Sequence, residues 1–244
     1  MSGRQWRKLA ESLASSHRVL VPDLIGSGDN PAFDDAEPFH FHQDVKAVRE
    51  LVTSVGGPAH VVGHSYGGLV ALTLAREAPS LVRSIAVYDP VAFGVLSATL
   101  DEGGLADLAR AGENPVFTDE ARGGGEAWFE AFVDYWNGAG AWRALPEASR
   151  AAFLRVGRKV FREVTSLMAD NTPPSAYANI TAPALLLGGE RSPLAARRVG
   201  EILASALPHA TKELVAGAGH MGPITHAAQV NTRITEHIAA ADAT

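Results

Sequence analysis

Cysteine is missing from this chain of 244 residues, and so are basic clusters and long apolar runs. Without thiols the protein has neither disulfide bonds nor thiolate metal sites. No apolar run reaches the roughly 18 residues that a membrane-spanning helix needs. Acidic residues (27) outnumber basic ones (21), and the formal net charge of −6 argues against nucleic acid as a partner. A cytoplasmic location is expected by default, although a segment upstream could carry an export signal, and the oligomeric state stays open.

The most informative feature that is present is Gly63-His64-Ser65-Tyr66-Gly67, which fits the pattern G-x-S-x-G. In this pattern a serine lies at the tip of a tight turn between a strand and a helix. The context agrees, because residues 59–62 have the pattern of a buried strand and residues 67–76 that of a buried helix. A side chain two residues before or after the serine is expected to collide with neighbouring backbone, which would require glycine at both places. The motif predicts a reactive serine; an idle serine in a glycine-rich turn is the alternative.

Short apolar strands alternate with amphipathic helices along most of the chain. Besides the strand before the serine, strands are predicted at residues 18–23, 84–88, 184–187 and 212–215. Helices are predicted between them from apolar residues at helical spacing. This alternation is typical of the α/β class, with a mostly parallel sheet and helices on both of its faces.

Residues 94–176 interrupt the alternation. They contain no convincing buried strand, yet they hold three of the four tryptophans. We interpret this segment as an inserted helical cap, or lid, over the end of the sheet that carries the serine. The two parts of the core would then be residues 1–93 and 177–244. Most of the cap's aromatic side chains are expected to pack against each other, with Trp128 and Trp136 as candidates for facing a ligand pocket.

With these motifs the chain resembles the α/β-hydrolase fold family, specifically small bacterial serine hydrolases with a helical cap. The resemblance covers nearly the whole chain, and its most specific parts are residues 63–68 and 217–223. It implies that Ser65 is the nucleophile and that His220 is the base that accepts its proton. It also implies that the N–H of Tyr66 helps to hold an oxyanion, and it implies no metal or organic cofactor. His64 and Met221, which adjoin the serine and the histidine, are further pocket candidates.

The acid that would orient the histidine is less clear from the resemblance. Many relatives place an aspartate after the strand that follows the cap, where this chain has Ser192, and a serine carries no charge. Other relatives take the acid from the end of the strand before the cap, where this chain has Asp89. We favour Asp89 over Glu190, because a carboxylate at that strand end can reach the imidazole. The alternative for Asp89 is a turn-capping role before Pro90.

The resemblance also raises an expectation about the N-terminus. In the family, a histidine–glycine loop upstream of a segment like residues 2–6 supplies a second oxyanion N–H group. This chain starts downstream of that loop, and the strand before the loop would lie between residues 18–23 and the strand that precedes the serine. We therefore expect about 25 to 40 further residues in the natural protein, enough for one to three strands with their turns. We also expect impaired activity of the 244-residue chain.

The expected activity is hydrolysis of a small apolar ester or related acyl substrate through an acyl-enzyme on Ser65. Carbon–carbon bond hydrolysis and a haloperoxidase-like reaction stay open, because one such site supports several chemistries. By the resemblance, a serine nucleophile argues against dehalogenase and epoxide-hydrolase activity. A non-catalytic ligand-binding protein that keeps the pocket is the alternative from another class.

Overall fold

A computed structural model describes residues 3–243 and contains one parallel sheet of four strands. The strands are Ala59–His64 (β1), Val82–Tyr88 (β2), Ala184–Gly189 (β3) and Ala210–Val215 (β4). They lie side by side in the order β1-β2-β3-β4. Val87 is paired with Gly63 of β1 on one side and with Leu186 of β3 on the other. The predicted α/β class with a parallel sheet is confirmed.

Helices fill the chain between and around the strands. In chain order they are Arg7–Leu13 (α1), His42–Ser54 (α2), Tyr66–Glu77 (α3), Gly94–Thr99 (α4), Glu102–Gly112 (α5), Glu126–Asn137 (α6), Ala141–Ala144 (α7), Glu147–Arg155 (α8), Gly157–Met168 (α9), Leu194–Ala206 (α10), Gly222–Thr225 (α11) and Ala227–Asp242 (α12). Short 3-10 turns lie at Gly3–Trp6, Pro79–Leu81, Pro115–Thr118 and Pro174–Tyr177. None of the helices within residues 3–243 combines the length and the apolarity that crossing a bilayer requires.

Alternate side chains of the central strands belong to two different apolar clusters, one on each face of the sheet. Helices cover both faces because each cluster must be shielded from water. Ile85 and Val87 of β2 pack with residues of α2, α3 and α10. Ala86 and Tyr88 of the same strand pack with residues of α1 and α12 on the opposite face. Successive side chains of a strand point to opposite faces, so a strand buried on both sides is apolar throughout. The sheet therefore holds the ends of β1 and β2 in a fixed frame.

The prediction of a strand at residues 18–23 is wrong. This segment forms no strand pairing among the described residues, and Leu20 and Val21 are 43% and 41% exposed. A cavity of about 620 Å³ separates it from β1. A strand exists only where a neighbour completes its backbone hydrogen bonds. Here the neighbour is out of reach, and β1 is the edge of the sheet.

The chain between β2 and β3 is helical, with no strand among its described residues. Trp128, Phe129, Trp142 and Phe161 form an apolar cluster of their own within α6, α7 and α9. Trp136 lies two turns further along α6 than Trp128 and joins the main cluster instead. Helix α6 therefore contributes to both clusters, and Val95 and Leu96 of α4 and Leu167 of α9 also pack in the main one.

Candidate active site

Ser65 lies in the tight turn between β1 and α3. Its backbone has φ of 53° and ψ of −119°, a conformation that side chains rarely adopt. The Ser65 N–H donates to the Tyr88 carbonyl oxygen at 2.9 Å, which fixes the turn to the end of the neighbouring strand. Residues held in such conformations cluster at functional sites, because the surrounding structure must stabilise them. The hydroxyl is thereby presented at the carboxyl end of the sheet.

Of the two glycines in the motif, Gly63 and Gly67, only Gly63 lies where a larger side chain would not fit. A Cβ atom at Gly63 would lie 2.3 Å from the carbonyl oxygen of Gly67. A Cβ atom at Gly67 would meet nothing within 4 Å. The expectation that glycine is needed at both positions is therefore wrong for Gly67, whose Cα sits in the first turn of α3 with open space beside it. The next residue, Gly68, is tight, because a Cβ there would lie 3.0 Å from Pro90.

One imidazole bridges the serine and a carboxylate. His220 Nε2 lies 3.0 Å from Ser65 Oγ, and His220 Nδ1 lies 3.2 Å from Asp89 Oδ2. All three side chains are buried. Asp89 follows β2 directly and, like Ser65, has a positive φ, of 41°. Ser65 and Asp89 thus directly follow two adjacent parallel strands, and His220 lies in the loop after β4.

The other candidate acid points elsewhere. Glu190 Oε2 accepts a hydrogen bond of 2.8 Å from the Gly217 N–H, which holds the start of the His220 loop. The structure thus brings Asp89, and not Glu190, against the imidazole. Ser192, which stands where many relatives have the acid, donates a hydrogen bond of 2.5 Å to Asp89 Oδ2. Sequence reasoning treated Ser192 only as a missing charge and overlooked its part as a partner of the acid.

The loop that carries His220 is anchored to the strand next to the serine. The Tyr88 hydroxyl donates to the Gly219 carbonyl oxygen at 2.8 Å, and a Cβ atom at Gly222 would collide with that hydroxyl. His64 Nε2 donates to the carbonyl oxygen of His220 itself, at 2.8 Å. His64 is thus a support for the histidine loop, and its Nδ1 faces the side-chain amide of Gln5 at 3.1 Å.

His64 is held in its neutral form. Burial, and second the nearby imidazole of His220, lower the pKa of His64 well below its usual range. A neutral His64 adds no positive charge beside His220.

A buried charged cluster holds the residue after the serine. The Tyr66 hydroxyl donates to Asp44 Oδ2 at 2.7 Å, and Lys159 Nζ donates to the same oxygen at 2.7 Å. Lys159 also donates to Glu163 Oε1 at 2.7 Å, and its side chain is fully buried. Burial raises the pKa of Glu163, and burial likewise raises the pKa of Tyr66 well above its usual range. The cluster links α2 and α9 to the first residue of α3.

Sequence reasoning missed this cluster. Lys159 and Glu163 have the i, i+4 spacing of an ordinary surface ion pair, and most such pairs are solvated. Nothing in the local pattern indicates that Asp44, far away in the sequence, lies beside them.

The four pocket candidates lie in different surroundings. The Trp136 ring stacks on the His220 imidazole, with 3.7 Å between the ring centroids and 21° between the planes. Met221 follows His220 and is partly exposed. His64 lies under the loop, as described above. Trp128 is fully buried within the aromatic cluster of α6, α7 and α9 and does not contact the serine or the histidine.

Of these four pocket candidates, His64 alone lines the cavity beside β1. The 620 Å³ cavity beside β1 is lined in part by His64 and Tyr66, but not by Ser65 or His220. Both of these side chains are more than nine-tenths buried, at 7% and 4% exposure. The cavity is therefore separate from the buried pair of Ser65 and His220, and the aromatic ring beside that pair is Trp136, which stacks on the imidazole.

Comparison with known proteins agrees with this geometry. The lipase LipV of Mycobacterium tuberculosis is 39% identical over 89 residues, which is 36% of this chain and 33% of the lipase. The biotin biosynthesis bifunctional protein BioHC of Teredinibacter turnerae is 25% identical over 266 aligned positions, 96% of this chain and 42% of BioHC. The chain therefore aligns with less than half the length of either relative.

Similarity in three dimensions extends over the whole chain. The crystal structure of the enol-lactonase of Burkholderia xenovorans LB400 superposes with a TM-score of 0.74 at 19% identity, covering 98% of this chain and 87% of the enol-lactonase. At this identity the likeness shows the fold. The model of the alpha/beta hydrolase family matches residues 1–233. With a strand–serine–helix turn, a histidine after the last strand and this match over nearly its full length, the chain belongs to the alpha/beta hydrolase family.

Proposed function

We propose that the protein is a serine hydrolase that cleaves a small apolar ester, or a related acyl substrate, through an acyl-enzyme on Ser65. The observation that carries the proposal is the bridging imidazole. His220 lies 3.0 Å from the serine oxygen and 3.2 Å from the Asp89 carboxylate. These are hydrogen-bond distances, and a serine hydroxyl becomes a useful nucleophile at neutral pH only with such a base beside it.

The order of steps follows from this arrangement. Ser65 Oγ attacks the substrate carbonyl carbon while its proton passes to His220 Nε2. Asp89 holds the opposite nitrogen, Nδ1, and stabilises the imidazolium that forms. The imidazolium then gives its proton to the leaving alcohol, and the acyl-enzyme remains. A water molecule, deprotonated by the same nitrogen, hydrolyses the acyl-enzyme and restores Ser65.

The negative charge on the tetrahedral intermediate needs hydrogen-bond donors. Tyr66 is the first residue of α3, and the first N–H groups of a helix have no acceptor within the helix. The Tyr66 N–H is therefore free for the oxyanion, and the positive end of the helix dipole favours a negative charge there. The buried bond between the Tyr66 hydroxyl and Asp44 restrains the residue that carries this donor.

The preference for an apolar acyl group rests on the helical segment 94–176, which we propose as the cap. Its residue Trp136 stacks on the imidazole, and the Phe93 ring is in turn stacked with Trp136, with 6.5 Å between the ring centroids. A substrate at Ser65 must lie against these rings. The identity to a lipase over 89 residues supports an ester as the bond that is cleaved.

A fluorophosphonate probe tests the proposed nucleophile. Labelling of the wild-type chain that disappears in Ser65→Ala, and persists in the exposed-residue control Ser80→Ala, is the expected result. p-Nitrophenyl esters of increasing acyl length then test the substrate class, with the highest kcat/KM expected for a short acyl chain. Trp136→Ala should shift that preference to longer chains. No labelling of a folded protein would favour a ligand-binding role, and labelling without cleavage of any ester would exclude the substrate class.

A further inference from the structure

A second cluster of polar side chains lies at the opposite end of β1 from Ser65. His17 Nε2 lies 2.9 Å from Asp242 Oδ2, and His60 Nε2 lies 3.0 Å from Asp242 Oδ1. The donor atoms of the three residues all lie within 4.8 Å of one another. The two imidazole rings meet edge to face, with 5.7 Å between their centroids. Three residues from distant parts of the sequence thus turn their metal-ligating atoms to one point.

The remaining ring nitrogens are also engaged. His17 Nδ1 lies 2.8 Å from Ser16 Oγ, and His60 Nδ1 lies 2.8 Å from Ser84 Oγ. The Ser84 side chain is buried in β2. A histidine that ligates a metal commonly uses one nitrogen for the ion and the other for such an orienting hydrogen bond. Both rings are therefore already turned with Nε2 toward the carboxylate.

We propose that His17, His60 and Asp242 form a binding site for Zn²⁺ or a similar divalent transition-metal ion. Imidazole nitrogens with a carboxylate oxygen are a ligand set that zinc accepts, with bonds of about 2.0 to 2.2 Å in a tetrahedral arrangement. Such bonds place neighbouring ligand atoms about 3.3 Å apart. The nitrogen–oxygen distances of 2.9 and 3.0 Å need to open only slightly. Water would complete the fourth position.

The site would be structural, because it lies away from the serine. His60 is the second residue of β1 and Ser65 follows the last, so a separation of about 16 Å follows from a rise of about 3.3 Å per residue. The His17 N–H donates to the Leu13 carbonyl oxygen, which holds the residue on the end of α1. Asp242 is the last residue of α12. An ion there would join α1, β1 and α12.

The positively charged Arg83 side chain would compete with this ion for the Asp242 carboxylate. Its Nη1 lies 3.0 Å from Asp242 Oδ1, and its side chain is 48% exposed. A guanidinium and a metal ion compete for the same carboxylate, and an exposed arginine can turn away into solvent. The proposal therefore predicts the direction of an effect, because removal of the arginine charge should strengthen metal binding.

The experiment uses the full chain without a polyhistidine tag, freed of metal by a chelator. Titration with Zn²⁺ in a calorimeter should give one ion per chain, and Co²⁺ should give the visible absorption bands of a tetrahedral centre. His17→Ala and Asp242→Asn should weaken binding by at least about tenfold, and Ser84→Ala by about tenfold to a hundredfold. Arg83→Gln should bind more tightly than the wild type, and the exposed control His209→Ala should bind equally well.

Circular dichroism of the metal-free variants keeps the result interpretable, because a folded His17→Ala chain excludes loss of binding by unfolding. A rise in melting temperature with Zn²⁺ that is absent in Asp242→Asn would support the site. Equal binding by the wild type, His17→Ala and Asp242→Asn would overturn it, as would the absence of stoichiometric binding. In either case the three residues form only a hydrogen-bonded cluster with Arg83. The test is independent of the chemistry at Ser65.

Discussion

The Ser192 hydroxyl donates its hydrogen bond to the same oxygen of Asp89, Oδ2, that faces the His220 imidazole. The Asp89 carboxylate is therefore contacted from two sides, by a hydroxyl and by an imidazole. An acidic side chain at position 192 would therefore place its carboxylate close to the position of the Asp89 carboxylate. This proximity leads to the first prediction.

Moving the carboxylate from position 89 to position 192 should recover activity. Asp89→Asn should lower kcat by roughly ten-thousandfold, because an amide cannot stabilise the imidazolium. Adding Ser192→Asp to that variant should restore about a hundredfold of the lost rate by returning the charge to the same place. Steady-state hydrolysis of a p-nitrophenyl ester measures both.

The matched control for this exchange is Asp89→Asn with Ser192→Asn, which has the same volume without the charge. Equal rates for the two double variants would show that a carboxylate at position 192 does not reach His220. Ser192→Ala alone should lower kcat by roughly ten- to a hundredfold, the value of about 1.5 to 3 kcal/mol for a hydrogen bond to a charged group.

The two glycines around Ser65 should respond differently to the same substitution. Gly63→Ala places a methyl group against the Gly67 carbonyl oxygen and should cost about 1 to 3 kcal/mol in the free energy of unfolding. Gly67→Ala meets open space within a helix, where alanine is favoured over glycine by about 1 kcal/mol. Urea denaturation of both variants checks this. Equal destabilisation would mean that the turn itself, rather than local crowding, selects glycine at both positions.

The stability of the protein should fall below a pH of about 6.5 because of His64. Burial lowers the pKa of His64 well below its value of 6.5 in an unfolded chain. Between those two values the unfolded chain binds a proton that the folded chain rejects, so the stability present above pH 6.5 is lost as the pH falls. One such group contributes up to about 1.4 kcal/mol per pH unit.

The difference between the wild type and His64→Gln isolates this contribution. Glutamine keeps a donor for the His220 carbonyl oxygen but has no titration. Denaturant unfolding at pH 7 and pH 5 should show a smaller loss for His64→Gln, while the exposed control His209→Gln should behave as the wild type. Parallel pH dependences of all three proteins would show that His64 is protonated in the folded state or is not buried.

The buried Lys159 should be needed for stability. Lys159→Met leaves the carboxylates of Asp44 and Glu163 buried without their cation, and loss of one member of a buried pair costs about 3 to 5 kcal/mol. The triple variant with Asp44→Asn and Glu163→Gln should lose less than Lys159→Met alone, because no unpaired charge remains. Chemical denaturation measures both. A loss below about 1 kcal/mol for Lys159→Met would show that the charges reach solvent.

The sequence indicated the serine turn and the parallel sheet because these rest on local patterns. The pentapeptide around Ser65 and the apolar strands on either side need no knowledge of distant residues. The helical spacing of Leu9 and Leu13 in α1 is an equally local pattern, and both side chains are buried. The strand at residues 18–23 was predicted from the same kind of pattern, but strand formation depends on a neighbour, and here 620 Å³ of open cavity takes its place.

Contacts between distant residues could not be read from local pattern. The hydroxyl of Ser192 on Asp89 and the amine of Lys159 on Asp44 each join residues about a hundred positions apart. Trp128 and Trp136 lie on the same helix at two turns' distance, and only the packing of α6 decides which ring meets His220. The aromatic content of this segment therefore predicts that some of its rings lie near the site, but it does not predict which ones.

Ser65 and Asp89 directly follow two neighbouring strands, whose backbones are hydrogen-bonded at that point. The distance between the two residues is therefore set by the spacing between strands, about 4.8 Å. Only the imidazole is carried by an irregular loop, tied down through Gly219 and the carbonyl of His220. A substitution in that loop is thus able to abolish turnover while leaving the melting temperature unchanged. In directed evolution, adjustments to catalytic alignment should accumulate there, whereas the sheet should tolerate few of them.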